Sequence, residues 1–213
     1  MSLSLNPKKA LIFRIIHAQN VPWVMDHGLH CRNSDIQDSK FRTIGNPDLI
    51  DKRHWRVVPV PPGGTLSDYV PFYFTPFSPM MLNLKTGYGG ITRCPNEDIV
   101  VLVSSLPRLT QLRQCFVFTD RHAYTQAAQY FCDPVDLASI DWAILQNRDF
   151  KRDPDDPGKV ERYQAEALVH RQVPFAALLG IGCYTDGVKL ALEQQALARS
   201  LHIKVLCRPD WYF

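Results

Sequence analysis

Apolar residues in this chain come in short runs, and the helical and extended patterns among them do not alternate as regular strand–helix–strand units. That irregular order points to an α+β fold, with several short strands packed beside helices, rather than to a doubly wound parallel sheet. Residues 99–104 (Ile-Val-Val-Leu-Val-Ser) are continuously apolar and read as a central strand. Residues 10–16 read as a first strand ending at His17. Asn20 then reads as a helix N-cap, with Pro22 in the first turn and Gly28 just past the end. Residues 69–76 form an aromatic strand bracketed by prolines. Further strands are expected at 115–119, 164–170 and 203–207, and helices at 123–130, 134–145 and 185–200. Two segments carry no regular pattern. Residues 31–66 are polar and rich in turn formers, and 148–162 is a mixed-charge loop containing Asp-Pro-Asp-Asp-Pro-Gly.

At 213 residues the chain can bury roughly 70% of its unfolded surface, so one domain over 1–213 needs no disulfide or metal to fold. A 46% hydrophobic and 21% charged composition excludes a disordered chain. With 24 Lys and Arg against 21 Asp and Glu, the net charge is +3. That is too little to hold duplex DNA by bulk charge, and it leaves room for a local basic groove. No apolar run approaches the ~20 residues of a membrane span. Lys8 and Lys9 precede only a short apolar stretch broken by Arg14, so a secretory signal is not expected. The six cysteines are scattered without a C-x-x-C pair and read as reduced, mostly buried thiols. The expectation is a cytoplasmic protein with no membrane partner.

Familiar ligand motifs are missing. Gly63-Gly64 and Gly89-Gly90 are isolated pairs, without the G-x-G-x-x-G or G-K-[ST] that binds phosphates, and no G-x-S-x-G marks a serine hydrolase. His27, His30 and Cys31 lack a second ligand pair at zinc spacing, so no metal is expected. A Cys–His nucleophile stays open, with no cysteine singled out.

Chemistry is better sought where polar groups interrupt apolar patterns. On a strand over 164–170, alternation puts Gln164 and Glu166 on one face and Ala165, Ala167 and Val169 on the other. A carboxylate mid-strand in such a run faces either a cleft or the wet side of an edge strand. Lys52-Arg53-His54-Trp55-Arg56 is either a solvated loop or a contact for phosphates and stacked bases. Tyr73 and Thr75 belong to the core or line a pocket for a flat ring. Asp120-Arg121-His122 closes a strand, a common position for site residues and equally an ordinary turn.

Four segments together resemble the DarT family of DNA ADP-ribosyltransferase toxins along nearly the whole chain. They are residues 63–80 (Gly-Gly-Thr-Leu-Ser-Asp-Tyr-Val-Pro-Phe-Tyr-Phe-Thr-Pro-Phe-Ser-Pro-Met), 116–122 (Phe-Val-Phe-Thr-Asp-Arg-His), 162–170 (Arg-Tyr-Gln-Ala-Glu-Ala-Leu-Val-His) and 208–213 (Arg-Pro-Asp-Trp-Tyr-Phe). The resemblance implies an ADP-ribosyltransferase fold, a split β-core with helices around an NAD cleft. It also implies cleavage of the nicotinamide–ribose bond, with transfer of ADP-ribose to thymine in single-stranded DNA. It puts the catalytic glutamate on Glu166, the essential arginine on Arg53 and the conserved histidine on His122. Tyr73 and Met80 match cleft positions, and NAD contacts fall on Arg14, His17, Tyr73 and Arg53. Some members carry a histidine in the first strand (I-Y-H-I-T-H) where this chain has Arg14. A macrodomain antitoxin is implied as partner by the same analogy.

The residues suit that chemistry. Breaking the glycosidic bond leaves positive charge on the ribose, which a carboxylate such as Glu166 can stabilise while orienting the sugar hydroxyls. Gln164 resembles the Q-x-E pattern of transferases that modify amide or base nitrogens. An arginine makes a poor free base, so the role expected of Arg53 is to stabilise negative charge on the base or the NAD diphosphate. A base inside a duplex cannot reach a cleft, so single-stranded DNA is the expected substrate. Residues 31–66, with Lys52, Trp55 and Arg56, and the 148–162 loop are expected to form its groove. The alternatives are a transferase of the same fold acting on RNA or protein, and an inactive NAD- or DNA-binding module.

Overall fold

In a computed structural model, which describes residues 4–213, ten strands and seven α-helices follow in chain order. They are β1 (Leu11–His17), α1 (Val21–His27), β2 (Leu29–His30), α2 (Pro47–Arg53), β3 (Tyr69–Tyr73), α3 (Pro79–Thr86), β4 (Ile99–Ser105), α4 (Leu106–Gln111), β5 (Phe116–Thr119), β6 (Tyr130–Phe131), α5 (Trp142–Gln146), α6 (Lys159–Arg162), β7 (Glu166–His170), β8 (Gln172–Val173), β9 (Gly180–Cys183), α7 (Asp186–Leu197) and β10 (Lys204–Cys207). Eight strands form one sheet in the order β10-β9-β4-β1-β3-β7-β5-β6, and β2 pairs with β8 in a small second sheet. Every pairing is antiparallel except β9 with β10, which α7 connects.

The large sheet is split along its middle. β1 pairs with β4 over its whole length, from Leu11↔Ser105 to His17↔Ile99, and β3 pairs with β7 from Tyr69↔His170 to Tyr73↔Glu166. Between these halves, β1 and β3 meet only at Phe13↔Tyr73. Pro71 has no N–H to extend that ladder. Its carbonyl is met instead by the Arg14 guanidinium, Nη1 donating at 2.8 Å. A proline in one strand and an arginine in the other therefore open the seam where the functional residues gather. β4 is buried along nearly its whole length and lies inside the sheet, as its apolar run requires. Its side chains join those of β1, β3 and β7 in the main core, while Val58, Leu66, Tyr69, Val117, Ala123 and Leu168 make a smaller cluster.

Several sequence expectations are corrected. Residues 31–66 are not wholly irregular, because they contain α2. Asn46 caps that helix by accepting the Leu49 N–H, Pro47 opens it, and Asp48 sits in its first turn. Asn20 precedes α1 as expected, yet its side chain does not cap. It donates to the Arg42 carbonyl and accepts the Arg42 N–H, tying the 31–66 segment to the sheet. Residues 123–130 form turns leading into β6 rather than a helix, and 134–145 break into a short 3-10 turn (Pro134–Ser139) followed by α5. The 148–162 segment ends in α6, and the β2–β8 sheet and β9 were not anticipated. Among the cysteines, Cys31, Cys94 and Cys183 are buried whereas Cys115 and Cys132 are exposed.

Candidate active site

β7 begins at Glu166, so the expected strand over 164–170 is two residues shorter. It is no edge strand: β3 and β5 flank it, and both of its faces are buried. Glu166 is 2% exposed. A charge this deep needs partners, and it has them. Arg53 Nη1 donates to both carboxylate oxygens, at 3.2 and 2.9 Å, and the Ala123 backbone N–H donates to Oε1 at 2.9 Å. Burial alone pushes this carboxyl up. Arg53 and the Ala123 amide outweigh it and hold Glu166 below the usual carboxylate range, ionised at neutral pH.

Arg53 is the last residue of α2, so the helix missed in the sequence is what carries it to the seam. Its Nη2 is buried without a partner among the described residues, as is the Nε of Arg14. Burial, then the neighbouring Arg53, lowers the Arg14 guanidinium to about 10, which leaves it charged at pH 7. Two guanidinium ions thus face one carboxylate, leaving an excess of one positive charge and two unsatisfied N–H donors. That arrangement fits an anionic, oxygen-rich ligand such as the diphosphate of NAD. Tyr73, the register partner of both Phe13 and Glu166, donates its hydroxyl to Met80 Sδ at 3.9 Å. Burial and the Glu166 charge push its phenol up, so it stays protonated.

His122 reaches the same carboxylate from the turn after β5, with Nδ1 3.7 Å from Glu166 Oε1. Nδ1 already accepts the Tyr124 N–H at 3.2 Å, which assigns the ring proton to Nε2. Burial and then Arg53 lower the imidazole below its ordinary value, outweighing the pull of Glu166, so the ring is neutral at pH 7. The pair is a contact of a neutral ring with a carboxylate, not a salt bridge. Thr119, at the end of β5, accepts the Glu166 N–H at 3.2 Å and donates to the Arg121 carbonyl at 2.6 Å. That positioning residue joins the histidine turn to the glutamate strand, and the sequence reading did not single it out.

Not every expected residue converges. Gln164 lies in the turn after α6, its amide donating to the Val160 carbonyl at 3.0 Å, so it does not share a strand face with Glu166. His17 ends β1 beside Cys94 and Asp98, the three offering ligand-type atoms within 4.8 Å of one another. The His17 Nδ1 accepts the Gln19 N–H at 3.1 Å, so the neutral ring keeps its proton on Nε2, which is buried without a partner among the described residues. A protonated nitrogen is a donor waiting for an acceptor, and it suits a metal poorly. Within the charged loop, Lys159 is held by Asp149 and Asp153, and Arg162 by Asp141 and Asp156. These charges brace the loop internally instead of facing a ligand. Lys52, Trp55 and Arg56 line a groove beside the site, Trp55 being 81% exposed.

A split antiparallel sheet with a buried, arginine-paired glutamate at the seam defines an ADP-ribosyltransferase. The single-stranded DNA thymidine ADP-ribosyltransferase (DarT) family model matches residues 13–213. A DNA ADP-ribosyl transferase of Escherichia coli O127:H6 is 56% identical over 212 residues, covering 100% of this chain and 97% of that one. DarT of Thermus sp. 2.9 in complex with ADP-ribosylated single-stranded DNA superposes with a TM-score of 0.89 at 30% identity, covering 100% of both chains. The same Thermus protein in complex with NAD+ gives 0.83 at 31% identity, covering 97% of this chain and 99% of that one. The chain belongs to the DarT family.

Proposed function

We propose that this protein transfers ADP-ribose from NAD to thymine bases of single-stranded DNA, with residues 1–213 acting as one catalytic domain. The observation that carries the reading is the buried Glu166–Arg53 pair at the seam, beside unsatisfied donors of Arg14 and Arg53. Glu166 orients the ribose and stabilises the positive charge that develops as nicotinamide leaves. Arg14 and the free Nη2 of Arg53 hold the diphosphate. Arg53, freed in part from Glu166 when the ribose enters, stabilises negative charge on the thymine as its N3 proton is lost. Tyr73 and Met80 wall the ring-binding side of the cleft. Lys52, Trp55 and Arg56 support a strand of DNA through phosphate contacts and stacking.

By family analogy the enzyme acts in the cytoplasm as the toxin of a toxin–antitoxin pair, countered by a macrodomain antitoxin that removes the modification. No helix among the described residues is long and apolar enough to cross a membrane. The test is incubation with NAD and single-stranded oligonucleotides, read by mass spectrometry, with Glu166→Ala alongside. The expected result is one ADP-ribose on thymine-containing strands only, falling on the order of 10²–10³-fold or more in the variant. Nicotinamide release without DNA modification would move the acceptor to RNA or protein.

A further inference from the structure

Beyond the catalytic pair lies a groove of about 600 Å³, lined by Lys52, Trp55, Arg56, Tyr124, Gln126 and Glu161 among others. Arg53, His122 and Glu166 do not line it, so a base held here is not the one that reacts. Two cations and two aromatics, Trp55 and the 36% exposed Tyr124, suit backbone phosphates and stacked bases. Glu161 is the exception. It repels phosphate, and its neighbours on α6 differ from it. Lys159 and Arg162 are each held by two carboxylates, whereas no donor among the described residues holds the Glu161 side chain. Its backbone is nevertheless fixed against the site, because the Glu161 carbonyl accepts the His122 N–H at 2.9 Å.

A carboxylate left without a protein donor in a groove lined by cations and aromatics is placed to accept from a donor on a base edge. We infer that Glu161 is a specificity-determining residue, which accepts a hydrogen bond from the exocyclic amine of a base flanking the modified thymine. Cytosine N4 and adenine N6 each present an amine that donates to a carboxylate, whereas thymine has no exocyclic amine and offers only its N3–H. The occupant is another nucleotide of the same strand, so the inference rests on the DNA-modifying reading above. Glu161 gives the enzyme a preference for amine-bearing neighbours.

The experiment measures kcat/KM of the full chain on oligonucleotides that hold one thymine in a fixed sequence. Each flanking position is set in turn to cytosine or to 2-pyrimidinone, which lacks only the amine. Wild type is expected to favour cytosine at one of these positions by roughly 5- to 150-fold, the range of a good base-edge contact. In Glu161→Met, which has no acceptor, that ratio should fall to about 1. Glu161→Gln, whose amide oxygen still accepts, should keep part of it. Each ratio is internal to one variant, so a change in folded fraction cancels. No amine preference at any flanking position in wild type, or an undiminished ratio in Glu161→Met, would overturn the assignment. Wild type that modifies none of the oligonucleotides while releasing nicotinamide would overturn the DNA reading itself, and the assignment with it.

Discussion

Replacing Arg53 by Met keeps most of the apolar stem of the side chain and deletes the only side-chain cation among the described residues that hydrogen-bonds Glu166. The carboxylate stays 2% exposed with the Ala123 amide as its remaining hydrogen bond. Removing one partner of a buried pair costs about 3–5 kcal/mol, because the other charge is left uncompensated. For a chain of this length that corresponds to a fall in Tm of roughly 6–20 °C. The cost should depend on pH. In wild type, Glu166 titrates below the usual carboxylate range, so its stabilisation is complete above about pH 4.3 and lost only as pH falls through its lowered value. In Arg53→Met, burial dominates and raises the carboxyl. The penalty is then full above that raised value and is relieved as acidification protonates the group. The stability difference between the two proteins should therefore narrow from pH 7 to pH 4.5. Glu166→Gln added to Arg53→Met should restore about 2 kcal/mol at pH 7 by removing the stranded charge. Urea unfolding followed by circular dichroism reads all three proteins. A cost below about 1 kcal/mol at pH 7, or one flat with pH, would refute the reasoning.

Trp55→Ala should weaken oligonucleotide binding several-fold, in keeping with the ~1–3 kcal/mol of a stacking aromatic, and leave NAD affinity nearly unchanged by calorimetry; equal loss of both would argue against a stacking role. Thr119→Val leaves the Glu166 N–H buried without an acceptor and should cost about 1–3 kcal/mol in urea unfolding together with part of kcat, with Thr119→Ser recovering both. Gly28→Ala should destabilise by about 3 kcal/mol or more in the same assay. Gly28 has φ 80° and ψ −167°, a region left almost entirely to glycine, and a Cβ there would lie 2.5 Å from the Val173 carbonyl oxygen.

Local pattern was enough for much of the sheet, because alternation and apolar runs report burial directly: β1, β4, β5, β7 and β10 lie within two residues of their expected bounds, and β3 starts where expected and ends three residues early. Glu166 was legible for the same reason, as a charge where the pattern demanded none, and α2 could have been read from Asn46-Pro47-Asp48. Three features depended on contacts that local pattern does not contain. Residues 123–130 have helix-compatible composition, but the Ala123 N–H is drawn to Glu166, the Tyr130 hydroxyl to the Ala123 carbonyl and the Gln129 N–H to Asp120, so turns replace the helix. The shared face of Gln164 and Glu166 vanished because β7 starts only after α6 has turned. Among the basic residues, nothing local separates Arg53, whose partner lies 113 positions away, from Arg162, braced by Asp141 and Asp156. The amino-acid sequence by itself determined six of the ten strands and which side chain is a misplaced charge. The tertiary structure alone decided which cation neutralises it, which donors stay free for a ligand, and which wall of the groove carries an unpaired carboxylate, because burial and pairing are set by what the rest of the chain brings alongside.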